Sequence, residues 1–155
     1  MSSESRASYR ARPTSPFGRG FALLVDEETV ANVSEATKGE FGVQVGAARW
    51  RIGSAPGFGA RFEMTSLGGE VIGIAEKPDA VGPRFQVRFV EGPTVETTPA
   101  ATYGRKCLLV REEAVIGAVD DNDLTTRDLS VDIAGGWSVE QVAFIVWVAF
   151  QALPT

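Results

Sequence analysis

Two sets of charged residues in this 155-residue chain invite a chemical reading. The first is a series of cations: Arg49 and Arg51 in "ARWRI", Arg61 in "ARFEM", Arg84 and Arg88 in "RFQVRFV", and Arg105 and Lys106 in "RKCLLV". A guanidinium pairs phosphate through two parallel N–H···O bonds, so these side chains gathered on one face would hold an anionic ligand. The second is "DDNDLTTRDLSVD" (120–132), where Asp120, Asp121, Asp123, Asp128 and Asp132 offer the hard oxygen ligands that Ca²⁺ takes. The segment has neither the sixth-position glycine nor the twelfth-position glutamate of an EF-hand loop. Each set also has a simpler reading. Arginines alternating with apolar residues keep the outer face of a strand wet, and an Asp-rich stretch between strands is a solvated loop.

Catalytic templates fit poorly. The chain has no histidine, which removes the usual general base and the commonest metal ligand. Its one cysteine, Cys107, excludes an intrachain disulfide and a Cys-rich zinc site. Within "KCLLV" it reads as a small buried hydrophobe in a strand. "GFGARF" (57–62) lacks the third glycine of a dinucleotide loop and precedes a strand, not a helix. There is no phosphate-loop lysine motif and no G-x-S-x-G. The expectation is a non-enzymatic protein with no cofactor, Ca²⁺ at the aspartates being the one alternative.

Charge balance limits the partners. Acidic residues outnumber basic ones by 20 to 15, which argues against general nucleic-acid binding. The imbalance is local: residues 41–111 carry nine basic and six acidic groups, whereas 112–155 carry one basic and eight acidic. Only the middle of the chain has the charge to present a cationic face. The start, "MSSESRASYRARPTSP", has no apolar core and reads as a disordered tail over residues 1–16, with Arg6, Arg10 and Arg12 free to touch an anionic surface.

The charged residues must be positioned by strands. Trp50 and Ile52 oppose Arg49 and Arg51; Phe62 and Met64 oppose Arg61 and Glu63; Phe85, Val87 and Phe89 oppose Arg84, Gln86 and Arg88. Period-two alternation marks strands with one buried and one wet face. Similar runs occur at 20–25, 41–45, 70–75, 93–98, 105–110, 114–119 and 129–134, separated by turn signals such as "SLGGE" and "EGPT". Residues 27–40 fit either a short helix or a loop with one strand. Close strands without helical crossovers make a meandering antiparallel sheet. "VIG" occurs at 71–73 and 115–117, as in two similar hairpins on opposite sides of one barrel.

The chain then changes character. "WSVEQVAFIVWVAF" (137–150) begins with Ser138 as N-cap and Gln141 at capping-box spacing, and Trp137 before the cap is placed to staple onto Val142. From Val142 to Phe150 no residue is polar, so the helix has no wet face. At about 1.5 Å per residue, 138–153 falls short of the roughly 30 Å bilayer core. It also lacks basic flanks, so no transmembrane span is expected. A curled antiparallel sheet supplies the concave apolar wall that such a helix needs.

Many short strands followed by one hydrophobic helix resemble the tubby C-terminal-like superfamily, which includes the LURP-one-related proteins and the phospholipid scramblases. The likeness covers about 17–153 and is carried by "FEMTSLGGEVIGIAEKP" (62–78), "AVIGAVDD" (114–121) and "DLSVDIAGGWSVEQVAFIVWVAF" (128–150). The resemblance implies a twelve-stranded barrel around its C-terminal helix. It also implies phosphoinositide binding by barrel cations, as in tubby domains, and a calcium segment just before the helix, as in scramblases. The expectation is therefore a mainly β protein: a closed antiparallel β-barrel of about 10–12 strands over 17–155, enclosing a helix at 138–153. Two functions are carried forward. The first is an anionic-lipid-headgroup module at the membrane periphery of the cytoplasm. The second is a protein-interaction or structural barrel with no small ligand.

Overall fold

A computed structural model describes residues 6–14, 20–37, 39–55, 60–78, 84–100, 106–120 and 128–152. Twelve antiparallel strands close into a barrel, and one helix follows them. In chain order the strands are β1 (Arg6–Pro13), β2 (Phe21–Val25), β3 (Glu28–Thr37), β4 (Glu40–Val45), β5 (Ala48–Ser54) and β6 (Arg61–Ser66). They continue as β7 (Val71–Glu76), β8 (Phe85–Phe89), β9 (Thr94–Pro99), β10 (Lys106–Arg111), β11 (Ala114–Asp120) and β12 (Leu129–Ala134). The helix α1 spans Val139–Ala152. Each strand pairs with its sequence neighbours, and β1 pairs with β12 to complete the ring.

An up-and-down ring gives the barrel two unlike ends. At the turn end, β2–β3, β4–β5 and β10–β11 are joined by two residues each, and β6–β7 and β8–β9 by four each. At the loop end five of the six connections are longer, reaching eight residues in β7–β8 and β11–β12. Two of the two-residue turns are built on acidic pairs with positive φ at both positions, Asp26–Glu27 and Glu112–Glu113. That backbone is the hairpin turn whose twist matches the strands, though Asn-Gly is its usual sequence.

The expected tail is corrected over part of its length. Residues 6–13 form β1, whose outward side alternates Arg6, Ser8, Arg10 and Arg12 with the inward Ala7, Tyr9 and Ala11. Composition concealed this strand, because it has no β-branched residue and its only large apolar side chain is Tyr9. The ambiguous stretch 27–40 holds β3 and no helix.

The helix is the core. Every residue from Val142 to Ala149 is buried, around the whole circumference. It lies against β3, β4, β7, β8 and β9. Its start has the expected reciprocal cap: the Ser138 backbone N–H donates to Gln141 Oε1 at 3.0 Å, and the Gln141 N–H donates to Ser138 Oγ at 3.4 Å. The helix enters at the turn end and runs towards the loop end. There β2, β4, β6 and β8 each place a phenylalanine inward in their first two residues. Phe21 packs on Phe150 with ring centroids 5.1 Å apart, and Phe41 and Phe62 meet Trp147 edge-on at 5.4 and 4.8 Å. Phe85 lies beside Phe62 at 6.0 Å.

The repeated "VIG" marks one local device used more than once. In β6–β7, Met64 pairs with Gly73 and Thr65 with Val71, leaving Ile72 as the extra residue of a bulge. In β10–β11, Leu109 pairs with Gly117 and Val110 with Val115, leaving Ile116. In β2–β3, Leu23 pairs with Ala31 and Leu24 with Thr29, leaving Val30. All three bulged residues pack against the core. The three hairpins are four strands apart around the ring, so they repeat at thirds of the circumference and the two "VIG" copies do not face each other across it. A bulge sharpens local twist, so these three help to curve the sheet round the helix, and a fourth register shift lies between Glu35 and Thr37 in β3–β4.

Candidate functional site

The barrel wall sorts its charges by alternation. The core side of the strands is apolar apart from the buried Thr97 on β9, so the described cations among those singled out in the sequence project outward from β5, β6, β8 and β10, with Arg84 just ahead of β8. These strands span five steps of the ring, about 24 Å at roughly 4.8 Å per step, too far for one small ligand to touch them all.

Carboxylates interleave with the cations. Arg51 Nε lies 3.4 Å from Glu40 on β4. Arg61 lies 4.0 Å from both Glu63 on its own strand and Glu76 on β7. Arg88 donates to Glu76 at 2.7 Å. Arg84 lies 3.8 Å from Glu96 on β9, and Lys106 3.8 Å from Asp120 on β11. Arg49 stands opposite Gln44 in the register and makes no ion pair among the described residues. Arg105 lies outside the described residues. The wall is therefore a belt of alternating signs. Such half-exposed pairs add little stability, with typical values of about 0–1 kcal/mol each, but each lowers the positive potential its cation offers to a ligand.

The aspartates are divided in the same way. Asp120 faces Lys106, Asp132 accepts from Arg6 at 2.9 Å, and Asp128 accepts from Arg12 at 3.3 Å. Asp121 and Asp123 lie outside the described residues. Among the described residues no group of three or more acidic or sulfur side chains is placed to hold a metal ion. Each of the three described aspartates is turned towards a basic side chain, Asp128 towards both Arg10 and Arg12.

The sequence reading missed a cluster at the β1 seam. Arg10 donates to Glu27 at 2.7 Å, and Arg12 reaches both Glu27, at 3.4 Å, and Asp128. Asp128 is the most buried carboxylate of this group, with 12% of its side chain exposed. Its hydrogen bonds with Arg12 raise the pKa of that guanidinium further above its ordinary value. The i, i+4, i+6 spacing of Arg6, Arg10 and Arg12 was the available signal, since it places all three on one side of a strand.

Inside the barrel the polar inventory is short. Cys107 is fully buried, and burial pushes its thiol up to about 12, which makes it a poor nucleophile. Trp147 Nε1 is buried without a hydrogen-bond partner among its aromatic neighbours. Among the described residues three large apolar side chains are exposed: Leu67, Val90 and Val115, each more than half accessible. All three lie at the turn end, in or beside the successive β6–β7, β8–β9 and β10–β11 turns. Glu70, Glu91, Glu112 and Glu113 are exposed beside them.

No family model matches the chain, and no curated protein or solved structure shows significant similarity to it. No helix among the described residues is long and apolar enough to cross a membrane.

Proposed function

We propose that this chain is a non-enzymatic protein-interaction barrel, a scaffold that presents its surface to another macromolecule. One observation carries this reading. The wall cations that would have formed an anion site are interleaved with carboxylates, while the unsatisfied surface is apolar and sits at the turn end, on Leu67, Val90 and Val115. The helix occupies the lumen, which leaves the outer face and the rims for binding. A reducing, cytoplasmic setting suits a chain whose one cysteine is free and buried. The barrel and enclosed helix also support membership in the tubby C-terminal-like superfamily as our reading of its ancestry.

Anionic lipid headgroups are the second reading, and a single feature favours it. Arg49 has no ion pair among the described residues, and Arg51 shares its outward face of β5. Cross-linking mass spectrometry in source-cell lysate, run beside liposome flotation, separates the two. The interaction reading expects cross-links from one partner converging on residues 67–70, 90–93 and 112–115, lost in a Leu67→Glu/Val90→Glu/Val115→Glu variant. It expects equal, background flotation with neutral and phosphoinositide vesicles. Flotation that needs anionic lipid and disappears in Arg49→Ala/Arg51→Ala would reverse the ranking.

A further inference from the structure

The strand that closes the ring is also weakly anchored. β1 pairs along one edge with β12, from Arg6↔Ala134 to Ala11↔Leu129, and along the other with β2, from Arg10↔Leu24 to Pro13↔Phe21. Of its inward residues only Ala11 is fully buried; Ala7 and Tyr9 are partly so. Its two neighbours are held far more firmly, β12 by Leu129, Val131 and Ile133 and β2 by Phe21 and Leu23, all at most 1% exposed. β7 is comparably poor in large core side chains, with Gly73 and Ala75, but it is tied into the barrel at both ends. β1 joins the barrel through one connection, 14–20.

What holds β1 is backbone pairing and a charge match. The slot beside it carries Asp132 and Asp128 from the β12 side and Glu27 from the β2–β3 turn, and these meet Arg6, Arg10 and Arg12. Exposed pairs of this kind contribute little net stability, but they discriminate between partners and fix register. If β1 leaves, β2 and β12 remain packed on the core and present two unpaired edges, each a template for a new strand. The flanking carboxylates select an extended strand with outward cations at positions i, i+4 and i+6.

We propose that β1 is an exchangeable strand, and that the slot between β2 and β12 accepts β1 from a second copy of this chain. Such swapping needs no new interface, because the incoming strand makes the contacts of the outgoing one. The proposal stands independently of the interaction reading above, which concerns the turn-end rim between β6 and β11 and none of the residues of β1, β2 or β12.

The test uses the full chain and a fluorescent, end-capped peptide of residues 6–13. Native mass spectrometry is expected to show 1:1 uptake of the peptide after prolonged incubation. The same peptide with Arg6, Arg10 and Arg12 replaced by glutamate is expected to be taken up at least tenfold less. The concentrated chain is expected to form a dimer fraction that excess peptide abolishes. Hydrogen exchange supplies the measure that needs no variant: β1 amides are expected to exchange well before those of β8 and β9. No uptake, equal uptake of the glutamate peptide, uptake without any dimer, or β1 amides as protected as those of β8 and β9 would each overturn the proposal.

Discussion

Gly73 and Gly117 occupy equivalent places in two bulged hairpins, yet they guard different contacts. A Cβ on Gly117 would collide with the carbonyl oxygen of Asp132 on β12, which is backbone and cannot yield. A Cβ on Gly73 would come within 3.1 Å of the Phe144 and Phe89 rings, which are side chains and can shift. Gly117→Ala is therefore expected to cost the more, about 3 kcal/mol or above, against about 1–2 for Gly73→Ala, by urea denaturation. Equal costs would refute the distinction. Cys107 makes a separate prediction. Its folded pKa of about 12 lies above the ordinary 9.0, so the folded state holds a proton that the unfolded chain releases first. The stability this provides is complete below about pH 9 and is lost as pH rises towards 12. Tyr9, also raised by burial, adds to the fall in the same direction. Cys107→Ala is expected to flatten, without abolishing, the decline in denaturation midpoint between pH 8 and 10.5.

Among the elements, two hairpin turns hold non-glycine residues at positive φ. Glu112 and Glu113 sit at φ 51° and 66°, a region that side chains other than those of glycine and asparagine enter at a cost. Replacing them with Asn-Gly is expected to stabilise the protein by about 1–2 kcal/mol. The matching change at Asp26–Glu27 is expected to gain less, because Glu27 holds Arg10 and Arg12. Paired urea curves check both. Much of this level was legible in the sequence. Clean alternation announced β5, β6 and β8, and the Ser138/Gln141 spacing announced the helix cap. β1 and β3 were obscured because their outward residues are charged or small and their inward ones modest, so hydrophobic contrast faded. The pairing of charges was hidden for another reason. Alternation tells which side of a strand an arginine takes, but only register tells which carboxylate stands beside it, and register across a turn depends on bulges. The recurring inward phenylalanines at 21, 41, 62 and 85 mark the starts of alternate strands, a sign the sequence carries.

At the scale of the whole molecule, the barrel and its helix are one cooperative object. Burying the large side chains of the helix at about 1.5–3 kcal/mol each gives on the order of 10 kcal/mol, comparable with the net stability of a domain. A chain ending at residue 137 is expected to be unfolded or aggregated by circular dichroism and light scattering. A soluble, β-rich product would show that the wall holds its shape without a core. The belt of opposite charges fits the same picture: it keeps the outside wet while presenting no strong field of one sign.

The order of elements has a further consequence, for synthesis. The helix that fills the lumen comes after all twelve strands, and the last strand seals the ring against the first. A ribosome working from the N-terminus therefore delivers the entire wall before its filling. Until α1 has emerged, the inner faces of the strands have nothing to surround, and the ring has no reason to close. Closure of the wall is therefore timed by the appearance of α1 and not by the completion of any strand.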